Sequence, residues 1–240
     1  MTKSFVNVML FLPLFVFGYF DGSFTRKSSA VELVEQSSQL YKLDSKSVAV
    51  VQNYGPTIQK YSTKYGLDWR LVIAVMKMES RFSHNAESEK GASGLMQIMP
   101  VTQLQIADEL GIDTTTFENP HVNIRGGIYY LAKIYKSLDG QNLTEENHIR
   151  LTLAAYNAGL GRVFDAQRMA MYCNDNPKEW TSVKNSFSLL SRKYSALHKN
   201  VWEEGRPSSG YFSDWQQTSN YVENIMGYYK EYRRYLSAKV

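Results

Sequence analysis

One carboxylate stands out because of the residues that precede it. Glu79 follows an apolar run from Leu71 to Met78 that only Lys77 interrupts. If this run is a helix, Glu79 lies at its end on an apolar face, where burial penalises the charged carboxylate and raises its pKa. A carboxyl group that stays protonated near neutral pH can serve as a general acid. The alternative is an exposed glutamate at a fraying helix end, paired with Lys77 or Arg81.

Four short motifs accompany this glutamate. They are E-S-x-F at Glu79–Phe82, G-A-x-G-L-M-Q at Gly91–Gln97, N-P-x-x-N-I at Asn119–Ile124 and A-Y-N-A-G at Ala155–Gly159. Their order and spacing resemble those of the lytic murein transglycosylases of the soluble-lytic-transglycosylase type, which are relatives of goose-type lysozyme. The resemblance covers roughly residues 47–165.

The downstream sequence resembles one branch of that family, the catalytic half of the membrane-bound lytic transglycosylases F. The matching stretches are Gly161–Ala166, Asn176-Pro177 with Trp180, and Tyr221–Ile225. Proteins of that branch usually carry an N-terminal domain similar to solute-binding proteins. Since only residues 1–46 precede the catalytic unit here, we expect that module to be absent.

The resemblance implies a reaction in which Glu79 acts alone. The family cleaves the β-1,4 bond between N-acetylmuramic acid and N-acetylglucosamine in peptidoglycan and leaves a 1,6-anhydromuramoyl end. Glu79 would protonate the glycosidic oxygen and then take the proton of the C6 hydroxyl, while the substrate's N-acetyl group stabilises the anomeric centre. We interpret the nearby Glu87 and Glu89 as solvated loop charges. The alternatives are a hydrolytic goose-type lysozyme-like muramidase and an inactive peptidoglycan-binding or assembly protein.

The resemblance also implies a set of substrate-binding residues. They are Ser88, Met96, Gln97, Tyr156, Asn157 and Tyr221. In the family the serine supports the substrate near the acid, the Met-Gln pair lines the sugar cleft, the Tyr-Asn pair forms a wall, and the last tyrosine points its hydroxyl toward the acid. For Met96 the alternative is ordinary core packing. The family often has E-T-R-x-Y-V around the last tyrosine, whereas this chain has Q-T-S-N-Y-V at Gln217–Val222.

Helical patterns dominate the rest of the chain and predict an all-α, lysozyme-like domain with a helical C-terminal extension. We predict a helix that opens at Gly55-Pro56 and ends at Gly66, with Asp68 capping the next one. A short hairpin at Gly94–Met99 is the only strand structure expected. Further helices are predicted from Pro100 to Gly111 and over Ile124–Leu138, Ile149–Tyr156, Val163–Tyr172, Val183–Tyr194 and Ser219–Leu236.

The N-terminus predicts export. Lys3 precedes an apolar run from Phe5 to Phe20, which is short for a membrane-spanning helix and typical of a signal-peptide core. We therefore predict a signal peptide or membrane anchor over residues 1–22 and a polar tether over 23–46. The catalytic core would cover 47–165 and the helical extension 166–240. The protein would work in the periplasm or elsewhere in the cell envelope.

Composition excludes several other classes. The chain has 240 residues, a net charge of +4, and one cysteine, Cys173, so it cannot form an intrachain disulfide scaffold. Its four histidines are scattered, and we predict no metal site and no cofactor. We expect a monomer that binds peptidoglycan glycan strands and no nucleic acid.

The positive charge is concentrated in the C-terminal part. Residues 162–240 hold twelve basic and eight acidic side chains, together with Trp180, Trp202 and Trp215. We hypothesise that this part lines an outer section of the cleft, where aromatic faces meet sugars and basic groups meet acidic stem peptides. The alternative is that most of these aromatic side chains belong to the core.

Overall fold

A computed structural model describes residues 42–236. The predicted signal peptide or anchor over 1–22 and most of the predicted tether over 23–46 lie outside these residues. Within the part that is described, no helix is both long enough and apolar enough to cross a membrane.

The fold is a bundle of helices, which confirms the predicted all-α class. The Gly94–Met99 region contributes only isolated bridges that pair Ser93 with Glu87 and with Ile98, and residues 42–236 contain no sheet. Two 3₁₀ turns, Thr114–Glu118 and Arg192–Tyr194, connect helices. The helices are α1 (Ser45–Tyr65), α2 (Trp69–Ser80), α3 (Pro100–Leu110), α4 (Pro120–Ser137), α5 (Glu145–Ala158), α6 (Leu160–Tyr172), α7 (Trp180–Leu189), α8 (Ser195–His198) and α9 (Trp215–Tyr235).

Helix α1 corrects one prediction. It begins at Ser45 and not at Gly55-Pro56, so Pro56 lies inside the helix. Asp44 caps the true start, because its carboxylate accepts a hydrogen bond from the Ser47 backbone N–H at 2.9 Å. The Ser47 hydroxyl also lies 2.8 Å from the hydroxyl of Tyr232 on α9. The capped first turn is therefore fixed to the bundle, and the helix continues through a proline that usually interrupts one.

Helix α2 is the central helix of the bundle. All residues from Leu71 to Met76 are buried. Asp68 caps it by accepting a hydrogen bond from the Arg70 backbone N–H at 2.9 Å. Asp68 also accepts a hydrogen bond from the hydroxyl of Tyr229 on α9 at 2.9 Å. This capping residue thus fixes both the start of α2 and the position of α9 beside it.

Helix α9 runs antiparallel to α2 along its whole length. Tyr221 near the start of α9 contacts Glu79 at the end of α2, whereas Arg70 at the start of α2 donates to the carbonyl of Leu236 at 3.3 Å. The C-terminal extension is therefore part of the core. Trp180 and Trp202 are both buried, which favours the alternative that these aromatic side chains belong to the core, whereas Trp215 is half-buried.

Helix α7 is shorter than predicted. It ends at Leu189, although the apolar pattern predicted a helix to Tyr194. In a continued helix the Leu190 carbonyl would accept from residue 194, but here it accepts from the Phe212 backbone N–H at 3.1 Å. The Leu189 carbonyl is likewise bound by the ring of His198 at 2.6 Å. Contacts with later parts of the chain thus replace the last turn.

Candidate active site

Glu79 lies at the C-terminal end of α2, and its carboxylate is bound by α9. The hydroxyl of Tyr221 donates a hydrogen bond to Glu79 Oε1 at 2.5 Å. Tyr156 at the end of α5 is close enough for the charge of Glu79 to help raise the pKa of its phenol, after the larger effect of burial. Three helices that are distant in sequence therefore bring one carboxyl and two phenols together.

The pKa of Glu79 is raised from its ordinary value of 4.5 to about 7. The main cause is burial, which removes water from the charged form; the hydrogen bond from Tyr221 acts in the opposite direction and lowers the pKa. The side chain nevertheless keeps part of its surface open. With this pKa, the carboxyl group is about half protonated near neutral pH, as suits a general acid.

The backbone turns sharply just after this carboxylate. Arg81 and Phe82 have φ values of 50° and 67°, in the left-handed region that residues other than glycine rarely adopt. Such residues cost about 1–3 kcal/mol each and cluster at functional sites. The turn ends α2 directly after Ser80 and directs the following loop away from the helix axis.

Asn123 anchors the loop that carries the G-A-x-G-L-M-Q motif. This buried side chain accepts a hydrogen bond from the Met96 N–H at 2.9 Å and donates one to the Ser93 carbonyl at 3.0 Å. Gly94 has a φ of 78°, and a Cβ there would lie 2.4 Å from Asn123 Nδ2. The motifs alone did not indicate this role, although an asparagine directly before the apolar stripe of α4 is a signal for it.

Ser80 joins the same loop to α2, and this role was also not predicted from the sequence. Its buried hydroxyl lies 3.0 Å from the Leu95 carbonyl and 3.1 Å from the Met76 carbonyl, and it can donate to either. Glu79 therefore precedes a residue that fixes the end of the helix against the loop.

Gln97 uses the amide nitrogen of its side chain to stabilise the loop, although the resemblance implied that this side chain lines the sugar cleft. Its Nε2 donates to the carbonyls of Ala86 and Gly94 at 2.9 and 3.0 Å. Both amide hydrogens are therefore used within the loop, and Oε1 is left to accept a hydrogen bond from a ligand. The residue itself has a φ of 46°, a third strained position after Arg81 and Phe82.

Met96 does not line a cleft with its side chain, which corrects the prediction. The side chain is fully buried and packs so tightly against α4 that a Cβ at Gly127 would lie 2.5 Å from it. Its backbone contributes to the site instead, because the Met96 carbonyl accepts a hydrogen bond from the Tyr156 hydroxyl at 2.9 Å. The alternative of core packing is the one that the structure supports.

Ser88 lies in the motif loop and Asn157 lies at the end of α5, so the two belong to different elements. The Ser88 hydroxyl accepts a hydrogen bond from the Ala92 N–H at 2.9 Å and so closes a turn of the motif loop. Asn157 is exposed at the end of α5, where its Oδ1 accepts from the hydroxyl of Thr218 on α9 at 2.7 Å. Thr218 lies one turn before Tyr221, so Asn157 and Tyr156 form a continuous border with α9.

One carboxyl group, that of Glu79, lies with two phenols at this site. In the described range, His, Cys, Asp and Glu side chains form no group of three or more that could hold a metal ion. The protein family model described as the transglycosylase SLT domain matches residues 56–178. The chain belongs to this family. The match includes Glu79 and the loop and wall motifs.

Two curated relatives extend the similarity beyond the SLT domain. A membrane-bound lytic murein transglycosylase F of Yersinia pseudotuberculosis is 33 % identical over 201 residues, which are 82 % of this chain and 38 % of that protein. The protein of the same name from Desulfosudis oleivorans is 32 % identical over 216 residues, which are 88 % of this chain and 43 % of that one. This chain thus spans about two fifths of the length of these relatives.

Solved structures have the same helical arrangement. An inactive mutant of lytic transglycosylase Slt from Pseudomonas aeruginosa matches 78 % of this chain and 25 % of its own, with a TM-score of 0.50 and 26 % identity. A 70-kDa soluble lytic transglycosylase in complex with bulgecin A matches 85 % of this chain and 28 % of its own, with a TM-score of 0.51 and 25 % identity.

Tyr221 lies outside the matched SLT span, yet it binds Glu79 directly, which leads to a prediction. We expect Tyr221→Phe to raise the pKa of Glu79 above about 7, because the lost hydrogen bond is the one that favours the carboxylate. A carbon-detected NMR titration of the Glu79 carboxyl measures this directly. Tyr211→Phe, at an exposed tyrosine, is the matched control and should leave the pKa of Glu79 unchanged. An unchanged or lowered pKa in Tyr221→Phe would contradict the role given to this hydrogen bond.

Proposed function

We propose that this chain is a peptidoglycan lytic transglycosylase that cleaves the β-1,4 bond between N-acetylmuramic acid and N-acetylglucosamine and leaves a 1,6-anhydromuramoyl end. The observation that carries the proposal is Glu79, a carboxyl group with a pKa of about 7 that accepts a hydrogen bond from Tyr221. Membership in the SLT family and the names of its relatives support the same reaction.

The proposed first step uses the protonated form of Glu79. The carboxyl group donates its proton to the glycosidic oxygen, the bond from C1 to that oxygen breaks, and N-acetylglucosamine leaves with a free 4-hydroxyl. The acetamido oxygen of the muramoyl residue bonds to C1 and stabilises the positive charge that develops there. A pKa near 7 favours this step, because the acid is protonated and still able to release its proton.

The second step uses the carboxylate that the first step leaves. Glu79 takes the proton of the C6 hydroxyl, whose oxygen bonds to C1 while the acetamido oxygen departs. Glu79 is then protonated again, the product contains the 1,6-anhydro ring, and no water has been consumed. The hydrogen bond from Tyr221 stabilises the carboxylate between the two steps.

We further propose roles for the remaining predicted residues. Tyr156 and Asn157 would form one border of the sugar site, and Ser88 would support the substrate through the turn that it closes. Gln97 Oε1 would accept a hydrogen bond from an acetamido N–H. Met96 would contribute only through its backbone. Residues 47–165 and the extension over 166–240 would act together as one catalytic unit.

Product analysis tests the proposal against hydrolysis by a goose-type lysozyme-like muramidase. Mass spectrometry of purified sacculi digested with the full chain should find muropeptides with 1,6-anhydro ends, which are lighter by one water than the reducing ends of hydrolysis. Reducing ends would establish the muramidase. A chain that releases no muropeptides while binding sacculi would establish the inactive binding or assembly protein instead.

The proposed location is the cell envelope. The Yersinia and Desulfosudis relatives are named as membrane-bound, which supports it. The finer proposals are export through the apolar segment in residues 1–22, work in the periplasm, and a monomeric state.

A further inference from the structure

A pocket lies between the end of α2 and the middle of α9, and its lining includes Met78 and Arg81, which stand on either side of Glu79 and Ser80 in the sequence. Its cavity volume is ≈ 390 Å³, and Arg81, Phe82, Asn224 and Tyr228 are among its lining residues. Asn224 and Tyr228 follow Tyr221 by three and seven residues, so they lie about 4.5 and about 10 Å further along α9 on nearly the same face. The pocket therefore begins within about two helical turns of the catalytic carboxyl.

The pocket carries an excess of positive charge. Its lining contains three cations, Lys46, Lys77 and Arg81, and one carboxylate, Asp44. Lys77 is already paired, because its Nζ lies 2.9 Å from Asp44 Oδ2. Among residues 42–236, neither Lys46 nor Arg81 has a carboxylate within 4.0 Å, and both side chains are exposed. Two cations thus remain available to a ligand.

The uncharged part of the wall consists of two aromatic side chains, Phe82 and Tyr228, together with Met78 and Asn224. Lys77 Nζ lies 4.7 Å from the centre of the Tyr228 ring, so this ring holds the paired lysine in place. Arg81 and Phe82 are the two residues with left-handed backbone conformations, which direct their side chains away from the path that α2 would have continued. The strained turn after Glu79 therefore builds the pocket as well as ending the helix.

We propose that this pocket binds a carboxylate of the substrate next to the cleaved bond, with Arg81 and Lys46 as its cations. The proposal rests on the proposed function. A guanidinium group binds a carboxylate with two parallel hydrogen bonds, and a nearby ammonium group adds charge. Peptidoglycan offers carboxylates from two sources: its stem peptides, and the lactyl group of N-acetylmuramic acid where the stem has been removed. A neutral chitooligosaccharide offers none.

Binding to three tetrasaccharides tests this pocket. The full chain carrying Glu79→Gln is used so that the ligands are not cleaved, and dissociation constants are measured by calorimetry for a stem-bearing muramyl glycan, a stem-free muramyl glycan and chitotetraose. Adding Lys46→Gln and Arg81→Gln should weaken binding of carboxylate-bearing glycan by about tenfold relative to chitotetraose, as expected for the loss of charge-assisted hydrogen bonds. A loss confined to the stem-bearing glycan identifies the stem, whereas a loss with the stem-free glycan identifies the lactyl carboxylate.

The control has the same change in charge at a different place. Lys136→Gln with Arg192→Gln also removes two exposed cations, and neither residue lines the pocket. This pair should leave the relative affinities unchanged. In the chain that carries Glu79→Gln alone, added salt should weaken binding of the carboxylate-bearing glycans more than binding of chitotetraose.

Three results would overturn the proposal. They are an equal loss for all three glycans, no loss for any of them, and an equal effect of the control pair. The proposed function fails separately, because it depends on the anhydro product of the unmodified chain and not on selectivity among ligands. If the Glu79→Gln chain binds none of the glycans while the unmodified chain forms the anhydro product, only the pocket proposal is lost.

Discussion

Glu79→Gln is expected to lower kcat/KM on purified sacculi by about a thousand-fold, the middle of the range for loss of a general acid or base. Glutamine has nearly the same shape and its amide oxygen can still accept the hydrogen bond from Tyr221. Its amide cannot donate the proton that the leaving oxygen needs or take the proton of the C6 hydroxyl. Release of anhydro-muropeptides measured by chromatography and mass spectrometry gives the rate. Equal product release by both chains would show that Glu79 is not the catalyst.

Glu87→Gln and Glu89→Gln are the matched controls, because they neutralise exposed carboxylates in the loop that follows the turn after Glu79. Both should keep activity within about twofold of the unmodified chain, as surface substitutions away from special features usually do. A large loss in either would give the reaction a second carboxylate and favour a two-carboxylate mechanism.

The stability of the Glu79→Gln chain separates lost chemistry from lost folding. The folded-state pKa of Glu79 is raised from 4.5 to about 7, so folding favours the protonated form. The stability that this contributes is fully present below about pH 4.5 and is lost as the pH rises through about 7. The Tm of Glu79→Gln should therefore exceed that of the unmodified chain at pH 8, and the difference should shrink toward pH 5.

Local signals predicted the elements around the site well. The apolar run before Glu79, the caps at Asp68 and Gly66 and the start at Pro100 all depend on residues close in sequence, and the structure has each of them. The start of α1 did not follow the local rule for proline. Asp44 is a local capping signal for the earlier start, and the contact between Ser47 and Tyr232, 185 residues apart, adds a stabilisation that no local pattern contains.

The site itself was predicted only in part, because its residues act through long-range contacts. Tyr221 and Glu79 are 142 residues apart, and only the family resemblance placed the phenol near the acid. The same resemblance named Met96 without distinguishing its side chain from its backbone, and the structure uses the backbone. The pocket between α2 and α9 forms because Lys46, Arg81 and α9 lie close together in the fold, and neither composition nor the order of the motifs predicts this.

Asn123→Ala is expected to lower the free energy of unfolding by about 2 kcal/mol, because a buried backbone N–H loses its partner, at about 1–3 kcal/mol, and a backbone carbonyl keeps only its bond from the Ile98 N–H. These groups are the Met96 N–H and the Ser93 carbonyl, which lie on either side of Gly94 in the motif loop. Urea unfolding followed by circular dichroism measures the change. Asn53→Ala, at an exposed position of α1, is the control and should change stability by less than about 0.5 kcal/mol.

The same substitution should lower activity at temperatures where the chain remains folded. The Met96 carbonyl accepts a hydrogen bond from the Tyr156 hydroxyl, and Gln97 is the next residue of the loop. If Asn123→Ala releases this loop, these groups should move away from Glu79. We expect kcat/KM to fall about tenfold or more, since displacements of about 1 Å are enough to cost that much. Full activity in a destabilised chain would show that Asn123 supports the fold without positioning the site. A decrease in the free energy of unfolding of less than about 1 kcal/mol would show that other contacts hold the loop, chiefly the bond from the Ser80 hydroxyl to the Leu95 carbonyl.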